Sequence, residues 1–378
     1  MAKKKKVRVA FNKNRQKRTR INDLTRGYSA EGSDSDSAVS AERVRAKGDL
    51  SRHRTVMQEV PEVGADPNDA PRLAIDLSTC QKGRVIRVHG LTTVVQDAWG
   101  REVRCNVRRI LKTMAIDGRN VVAVGDLVWF RPVGDEGMIE VVEPRKGTLT
   151  RGYRRKEHVV VSNVDQLLIV SALAEPGLKL PLVDRYLISA VKGGVRPIIV
   201  LNKADLVDLA PYQWVIGLYT QLGYETIATS AADGRGIDRL REILSHGATA
   251  FSGQSGVGKS SLLNALQPGL NLRVREVSGY AKGKHTTTTA ELIRLQSGGY
   301  VVDTPGLRQF ELWNIEPGEI EAHFIEFRPY IPKCKFPDCS HIHESDCAVR
   351  EAIYWGQIHP GRYDSYLKLY RGQPLEGE

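Results

Sequence analysis

The run Gly253-Gln254-Ser255-Gly256-Val257-Gly258-Lys259-Ser260-Ser261 carries the most specific chemistry in this chain. Its glycines allow tight backbone turns that aim N–H groups at phosphate oxygens. Lys259 adds a cation able to reach β- and γ-phosphates, and the Ser260 hydroxyl is a hard oxygen ligand for Mg²⁺. An apolar strand pattern, "ATAFS", precedes the run and a helix pattern, "KSSLLNAL", follows it. That is the context a phosphate loop requires. A glycine-rich turn with an exposed lysine, the bland alternative, explains neither the full spacing nor the flanks.

Asn202-Lys203-Ala204-Asp205 ends another apolar run. Asp205 can accept hydrogen bonds from guanine N1–H and its 2-amino group, an edge that adenine lacks. Lys203 can lie along the base and Asn202 can tie neighbouring loops. Thr229-Ser230-Ala231 completes the pocket, with the Ala231 N–H directed at guanine O6. The set selects GTP and GDP over adenine nucleotides. Asp303-Thr304-Pro305-Gly306 ends a third apolar run. Alone it is an ordinary turn; beside a phosphate loop, Asp303 becomes an outer partner for Mg²⁺ and Gly306 an N–H donor to the γ-phosphate.

Between these motifs lies "GKHTTTTAEL". One of its threonines is expected on Mg²⁺, Thr287 by pattern, with Thr286 next in rank. Leu307 follows "DTPG" where a water-orienting glutamine would be useful, and it can neither polarise nor hold water. Weak intrinsic turnover is therefore expected. His285 is the nearest group able to position water; a loop histidine without a catalytic role is the alternative.

A third constellation is cysteine-rich. Cys334, Cys339 and Cys347, with His341 or His343, supply a soft four-ligand set. Such a set suits one structural Zn²⁺ with no open position. Five cysteines, an odd number with one tight cluster, fit a reduced compartment better than a disulfide framework.

These motifs need elements to position them. Residues 157–310 alternate buried strand patterns with helix patterns, which implies a mostly parallel sheet covered on both faces. Ligands bind such sheets at the carboxyl ends of their strands, where each polar motif falls. From about 80 to 146, short β-branched runs such as "GRVIRVHG" and "GDLVWF" alternate with glycine turns. They imply a small barrel of the oligonucleotide-binding type, with Trp129 expected in its core. The basic stretch "EPRKGTLTRGYRRK" reads as a linker. After the cysteines, two helix patterns are read on either side of Pro360-Gly361.

Charge is concentrated at one end. Residues 1–20 hold ten Lys or Arg and no acid, out of a net charge of +11, so the remainder carries only +1. This lead is too polar for a core and is expected to lack structure when free. Its chemistry fits a polyanion, nucleic acid first, with a solubilising tail as the alternative. No run is long and apolar enough for a membrane span, and no secretory signal is recognised. A cytoplasmic monomer is expected.

The ordered motifs "NKAD", "TSA", "GQSGVGKSS", "HTTTT" and "DTPG" resemble those of circularly permuted GTPases, specifically the ribosome small-subunit-dependent GTPase A family. The resemblance spans roughly residues 80–370. It implies a multidomain fold: an N-terminal oligonucleotide-binding β-barrel, a circularly permuted P-loop α/β GTPase domain and a C-terminal, mainly helical zinc-binding domain. The expected boundaries are 1–70 for the basic then polar extension, 71–148, 149–318 and 319–378. It implies His341 as the fourth zinc ligand and supports His285 as the water-positioning group. It also implies binding to the small ribosomal subunit and its rRNA late in subunit maturation, with GTP hydrolysis stimulated by that subunit. The alternatives are a translation or stress-response GTPase on mature ribosomes, or a nucleic-acid-binding module in which GTP is a structural or gating ligand.

Overall fold

Five short strands rich in β-branched residues close into a ring. In the computed structural model these are β3 (Gln81–His89), β4 (Thr92–Asp97), β5 (Glu102–Val107), β6 (Leu127–Val133) and β7 (Glu136–Val142). The structure describes residues 4–10, 53–59, 77–90, 92–108, 111, 121–153, 156–269, 290–303 and 317–373, divided between two compact units. The ring order is β3-β4-β5-β7-β6, with β6 pairing back onto β3. All pairs are antiparallel except β5 with β7. Closure leaves no unpaired sheet edge. Val85, Val95, Cys105, Val128, Phe130 and Ile139 fill the interior. Strand parity decides which aromatic goes inside: Phe130 is buried and Trp129 is not. This corrects the expectation for Trp129, whose indole N–H instead donates to Glu143 Oε1 at 2.9 Å.

The unit containing residues 1–79 and 108–117 includes two earlier strands, β1 (Lys4–Ala10) and β2 (His53–Glu59), paired antiparallel. Val7 and Val9 in the first and Val56 in the second suit extended backbone. The other residues of the 1–70 extension lie outside the described residues.

After the barrel, the stretch read as a linker forms part of a hairpin, β8 (Leu149–Tyr153) with β9 (Lys156–Val161). The α/β sheet follows: β10 (Gln166–Ala172), α1 (Leu180–Lys192), β11 (Arg196–Asn202), α2 (Gln213–Gln221), β12 (Glu225–Ala228), α3 (Ile237–Leu244), β13 (Ala248–Ser252), α4 (Lys259–Leu266), β14 (Glu291–Arg294) and β15 (Tyr300–Asp303). Strands β12-β11-β10-β13-β15 are parallel in that order. Every residue of β10 and β13 is buried, as expected for central strands covered on both faces. β14 is antiparallel to β15 and bridges to β3 of the barrel through Glu291 and Arg87. Barrel and sheet also share one apolar core, in which Ile86 and Val124 join Val161, Leu167 and Ile169.

The chain then enters α5 (Pro317–His323), α6 (Ala348–Tyr354) and α7 (Pro360–Tyr370). Their core gathers Ile320, Phe324, Phe327, Val349, Ile358 and Tyr366, and takes in Ile188 from α1. Pro360 begins α7 rather than separating two helices. Its fixed φ and missing N–H suit the first helical turn, and His359 Nδ1 caps that turn by accepting from Gly361 N at 3.0 Å. Among the described residues, no helix is long and apolar enough to cross a membrane.

Candidate nucleotide site and metal centre

β13 and α4 present the phosphate loop at the carboxyl edge of the sheet. Gly253, Gly256 and Gly258 all have positive φ, at 142°, 82° and 94°. A Cβ at Gly253 would collide with the Val170 carbonyl, and one at Gly258 with the Asn202 side chain. Here glycine is required by close approach as well as by backbone conformation. Lys259 Nζ donates to the carbonyls of Gly253 at 2.6 Å and Gln254 at 2.7 Å, which holds the ammonium over its own loop. Ser260 and Ser261 occupy the first turn of α4, while Ser255 is exposed at the loop tip.

Base and phosphate motifs are joined directly. Asn202, the last residue of β11, is 1% exposed and donates from Nδ2 to Val257 O at 2.8 Å. Its Oδ1 accepts from the buried Thr229 hydroxyl at 3.2 Å. One amide thus links all three motifs. Lys203 adopts a left-handed backbone, φ 64°, and donates from Nζ to Glu175 O at 2.6 Å. Ala204 N donates to Thr229 O at 3.0 Å. Asp205 follows on the exposed side of this tie, in the short 3-10 turn Ala204–Leu206. Ser230 is buried, and its hydroxyl accepts from Ala232 N and Asp233 N, which shapes the turn that Ala231 opens.

Asp303 is the last residue of β15, which runs parallel to β13 with Val302 opposite Ala250. The strand register therefore brings Asp303, the first residue of "DTPG", to the same sheet edge as the phosphate loop. His285, Thr286, Thr287 and Gly306 lie outside the described residues. For Mg²⁺, the donor types available are the Ser260 hydroxyl at the start of α4 and the carboxylate residue at the end of β15. Both residue types offer oxygen, the donor a hard divalent cation prefers.

The second centre is assembled from Cys334, Cys339, His341 and Cys347, whose ligand atoms all lie within 4.8 Å of one another. Cys334 Sγ is 3.6 Å from His341 Nδ1 and 4.0 Å from Cys347 Sγ; His341 Nδ1 is 3.4 Å from Cys347 Sγ. Metal–ligand bonds of about 2.0–2.3 Å at tetrahedral angles separate ligands by roughly 3.5–3.8 Å, so the spacing fits a four-coordinate metal. His341 Nε2 lies 2.9 Å from Glu321 Oε2. That partner keeps the proton on Nε2 and leaves the Nδ1 lone pair facing the sulfurs. The knuckle is held from behind by hydroxyls of Tyr363 and Tyr366, each donating at 2.8 Å, to His341 O and Ser340 O respectively. His343 is outside the cluster and its side chain is 82% exposed.

Two polar groups that sequence motifs did not reveal brace these centres. Asp126, fully buried, pairs with Arg145 and accepts the Ser162 hydroxyl at 2.5 Å, joining the barrel to β9 and its flank. Asp184 on α1, also fully buried, pairs with Arg362 on α7 and accepts the Tyr219 hydroxyl at 2.7 Å. Arg362 reaches Glu326 as well, at 2.5 Å from Nε. Burial pushes the Asp184 carboxyl above its ordinary range, with Arg362, Ser365 and Tyr219 pulling it back.

A family model described as RsgA GTPase matches residues 142–313. A relative from Actinobacillus succinogenes, named small ribosomal subunit biogenesis GTPase RsgA, is 40% identical over 303 residues, covering 78% of this chain and 84% of the relative. The chain belongs to the RsgA GTPase family. A second RsgA, from Chlorobaculum tepidum, is 42% identical and is covered over 96% of its length. Among solved structures, YjeQ from Thermotoga maritima superposes with a TM-score of 0.65 at 36% identity, over 79% of this chain and 99% of YjeQ. YloQ, described as a circularly permuted GTPase, gives 0.60 at 29% identity, over 78% of this chain and 94% of YloQ. The chain therefore has the expected architecture: barrel, circularly permuted GTPase sheet and a helical region with a three-cysteine, one-histidine cluster.

Proposed function

We propose that the chain binds the small ribosomal subunit through rRNA, acts late in that subunit's maturation and hydrolyses GTP when the subunit stimulates it. The observation that supports this most strongly is the extent of the relationship. Relatives named for small-subunit biogenesis match over 84–96% of their own length.

In this reading Asp205 selects guanine, Asn202 holds the base and phosphate loops in register, and Ser230 and Ala231 shape the far side of the base. Backbone N–H groups of residues 253–258 and the Lys259 ammonium neutralise phosphate charge as it moves toward the leaving group. Ser260, Thr287 and, through water, Asp303 would hold Mg²⁺, which when bound shields the β- and γ-phosphates. Thr286 is the alternative threonine for Mg²⁺, the Gly306 N–H would donate to the γ-phosphate, and His285 is assigned to orient the attacking water. With Leu307 inert, turnover alone is slow and the subunit supplies the missing order. Cys334, Cys339, His341 and Cys347 would hold one Zn²⁺ as a structural ion. The domain boundaries proposed are 71–148, 149–318 and 319–378 after the 1–70 extension. The site of action is cytoplasmic and the working form a monomer.

Sedimentation of the full chain with purified small subunits tests this reading. With a non-hydrolysable GTP analogue, the protein is expected to pellet with the subunits; with GDP it should stay in the supernatant. Equal pelleting with immature and mature subunits in every nucleotide state would favour a translation factor instead. Failure to pellet in any state would remove the reading.

A further inference from the structure

The turn between β4 and β5 presents a tryptophan to solvent. Trp99 is 72% exposed, although large aromatic side chains are usually sheltered. It is also held rigidly. Asp97 has a fully buried carboxylate that accepts from Trp99 N and Arg101 N, each at 2.9 Å, and from Arg101 Nε at 2.8 Å. Asp97 O accepts Gly100 N at 3.1 Å, and Gly100 takes the positive φ of 85° that the turn needs. Backbone N–H donors and Arg101 hold this carboxyl below the usual range despite the desolvation that opposes them.

The turn sets one face of the indole. The Arg101 guanidinium lies over the Trp99 ring, 5.2 Å from its centre, while its side chain remains 68% exposed. Cation–π contact of this kind fixes the ring without burying it. A second cation is close by: Arg294, exposed at the end of β14, lies 3.7 Å from where a Cβ on Gly100 would sit. The acids nearest along β5 and β14, Glu102 and Glu291, are both engaged by Arg87. The tip thus combines a rigid, exposed aromatic plane with two arginines, while its acids are neutralised in place.

We infer that the Trp99–Arg101 turn is a stacking platform for one unpaired base of single-stranded RNA, with Arg101 and Arg294 contacting the flanking phosphates. Every base has a π-face, so an aromatic plane beside cations grips single strands without needing a base-pair edge. A duplex hides those faces and gains only the phosphate contacts. The inference rests on the reading of the chain as an rRNA-binding factor, and names the chemistry by which its barrel would grip that RNA.

The test compares wild type with Trp99→Ala, Trp99→Phe and Arg101→Ala in the full chain. Binding is measured to a fluorescein-labelled single-stranded 12-mer RNA and to a duplex of the same length, alongside subunit sedimentation. Trp99→Ala is expected to weaken single-strand binding roughly 5- to 150-fold, the range found for loss of one base stack, and to leave duplex binding unchanged. Trp99→Phe should restore most of the loss. Arg101→Ala should lower the dependence of log K on log salt by about 1 in Z. Subunit-free GTP turnover and melting temperature should match wild type in the Trp99 variants. If Trp99→Ala binds the single strand like wild type, or loses duplex binding equally, the inference is overturned. It is also overturned if Trp99→Ala loses only subunit binding, which would assign the turn to a protein contact. If wild type pellets with subunits but no variant differs, only the platform fails; if wild type does not pellet, the function proposed above fails.

Discussion

Asp126 and Asp184 are both fully buried aspartates paired with an arginine and a hydroxyl, yet they brace the molecule in different ways. Asp126 has both oxygens satisfied: Arg145 reaches Oδ1 at 2.8 Å and Oδ2 at 2.9 Å, Ser162 bonds Oδ1 and Ala123 N bonds Oδ2 at 2.7 Å. Arg145 itself keeps 24% of its side chain in solvent. At the other site, Asp184 Oδ2 has no hydrogen-bond partner among the described residues. Arg362 is 3% exposed and is shared between the buried Asp184 and the part-buried Glu326, so two carboxylates lean on one cation. The first site is a satisfied brace between barrel and sheet. The second is an oversubscribed clamp between the metal-cluster region and α1 and α2, the helices flanking the base-reading strand β11. Removing the arginine should therefore cost more at the clamp, because loss of the cation strands negative charge away from water.

The largest effect should come from removing the metal ligand set. Cys347→Ser, or a strong chelator, should loosen the small apolar core that carries α7, and Arg362 with it. Limited proteolysis should then cut after residue 317 while GTP binding persists; retention of the intact fold would show that the cluster is not structural. Next, Arg362→Ala leaves the buried Asp184 and the part-buried Glu326 without their cation and should cost about 3–5 kcal/mol in chemical denaturation. Arg145→Ala removes a partly solvated partner from a carboxylate that keeps two other donors, and should cost less, about 1–3 kcal/mol. A cost at Arg145 equal to that at Arg362 would break the comparison.

Asp184→Asn should be milder still, about 1 kcal/mol, because Arg362 retains Glu326. It also sharpens the pH argument. A carboxyl raised by burial contributes stability that is fully present below its unfolded pKa, near 4, and is lost as pH rises through the folded value. Denaturation at several pH values should show a flatter profile in Asp184→Asn than in wild type above pH 4. The smallest effect belongs to the rim. Glu291→Gln removes a partner of Arg87, whose side chain is 32% exposed, and should change stability by less than about 1 kcal/mol, with salt reducing the difference further.

Contiguity decided what could be read from the sequence. Residues 253–261 announce their site because the whole cradle is one turn with fixed glycine spacing. The metal cluster was equally legible, since Cys334 to Cys347 form one knuckle. The choice of His341 over His343 came from family resemblance, and the structure explains its place through Glu321. At Trp129 and Phe130 one residue of register decides which aromatic enters the core, and "GDLVWF" alone does not fix that parity. The stretch 143–156 reads as a linker because its basic residues obscure the strand Leu149–Tyr153, which forms by pairing with β9. Asp184 and Arg362 could not be paired in advance: they are 178 positions apart on helices whose patterns announce only an apolar face. Trp99 gave no signal beyond a turn residue.

GTP turnover by the full chain, titrated with purified small ribosomal subunits, tests the central claim most directly. The account predicts slow turnover alone and a saturable rise with subunit concentration, abolished by Lys259→Ala. A rate indifferent to the subunit across the titration would contradict it.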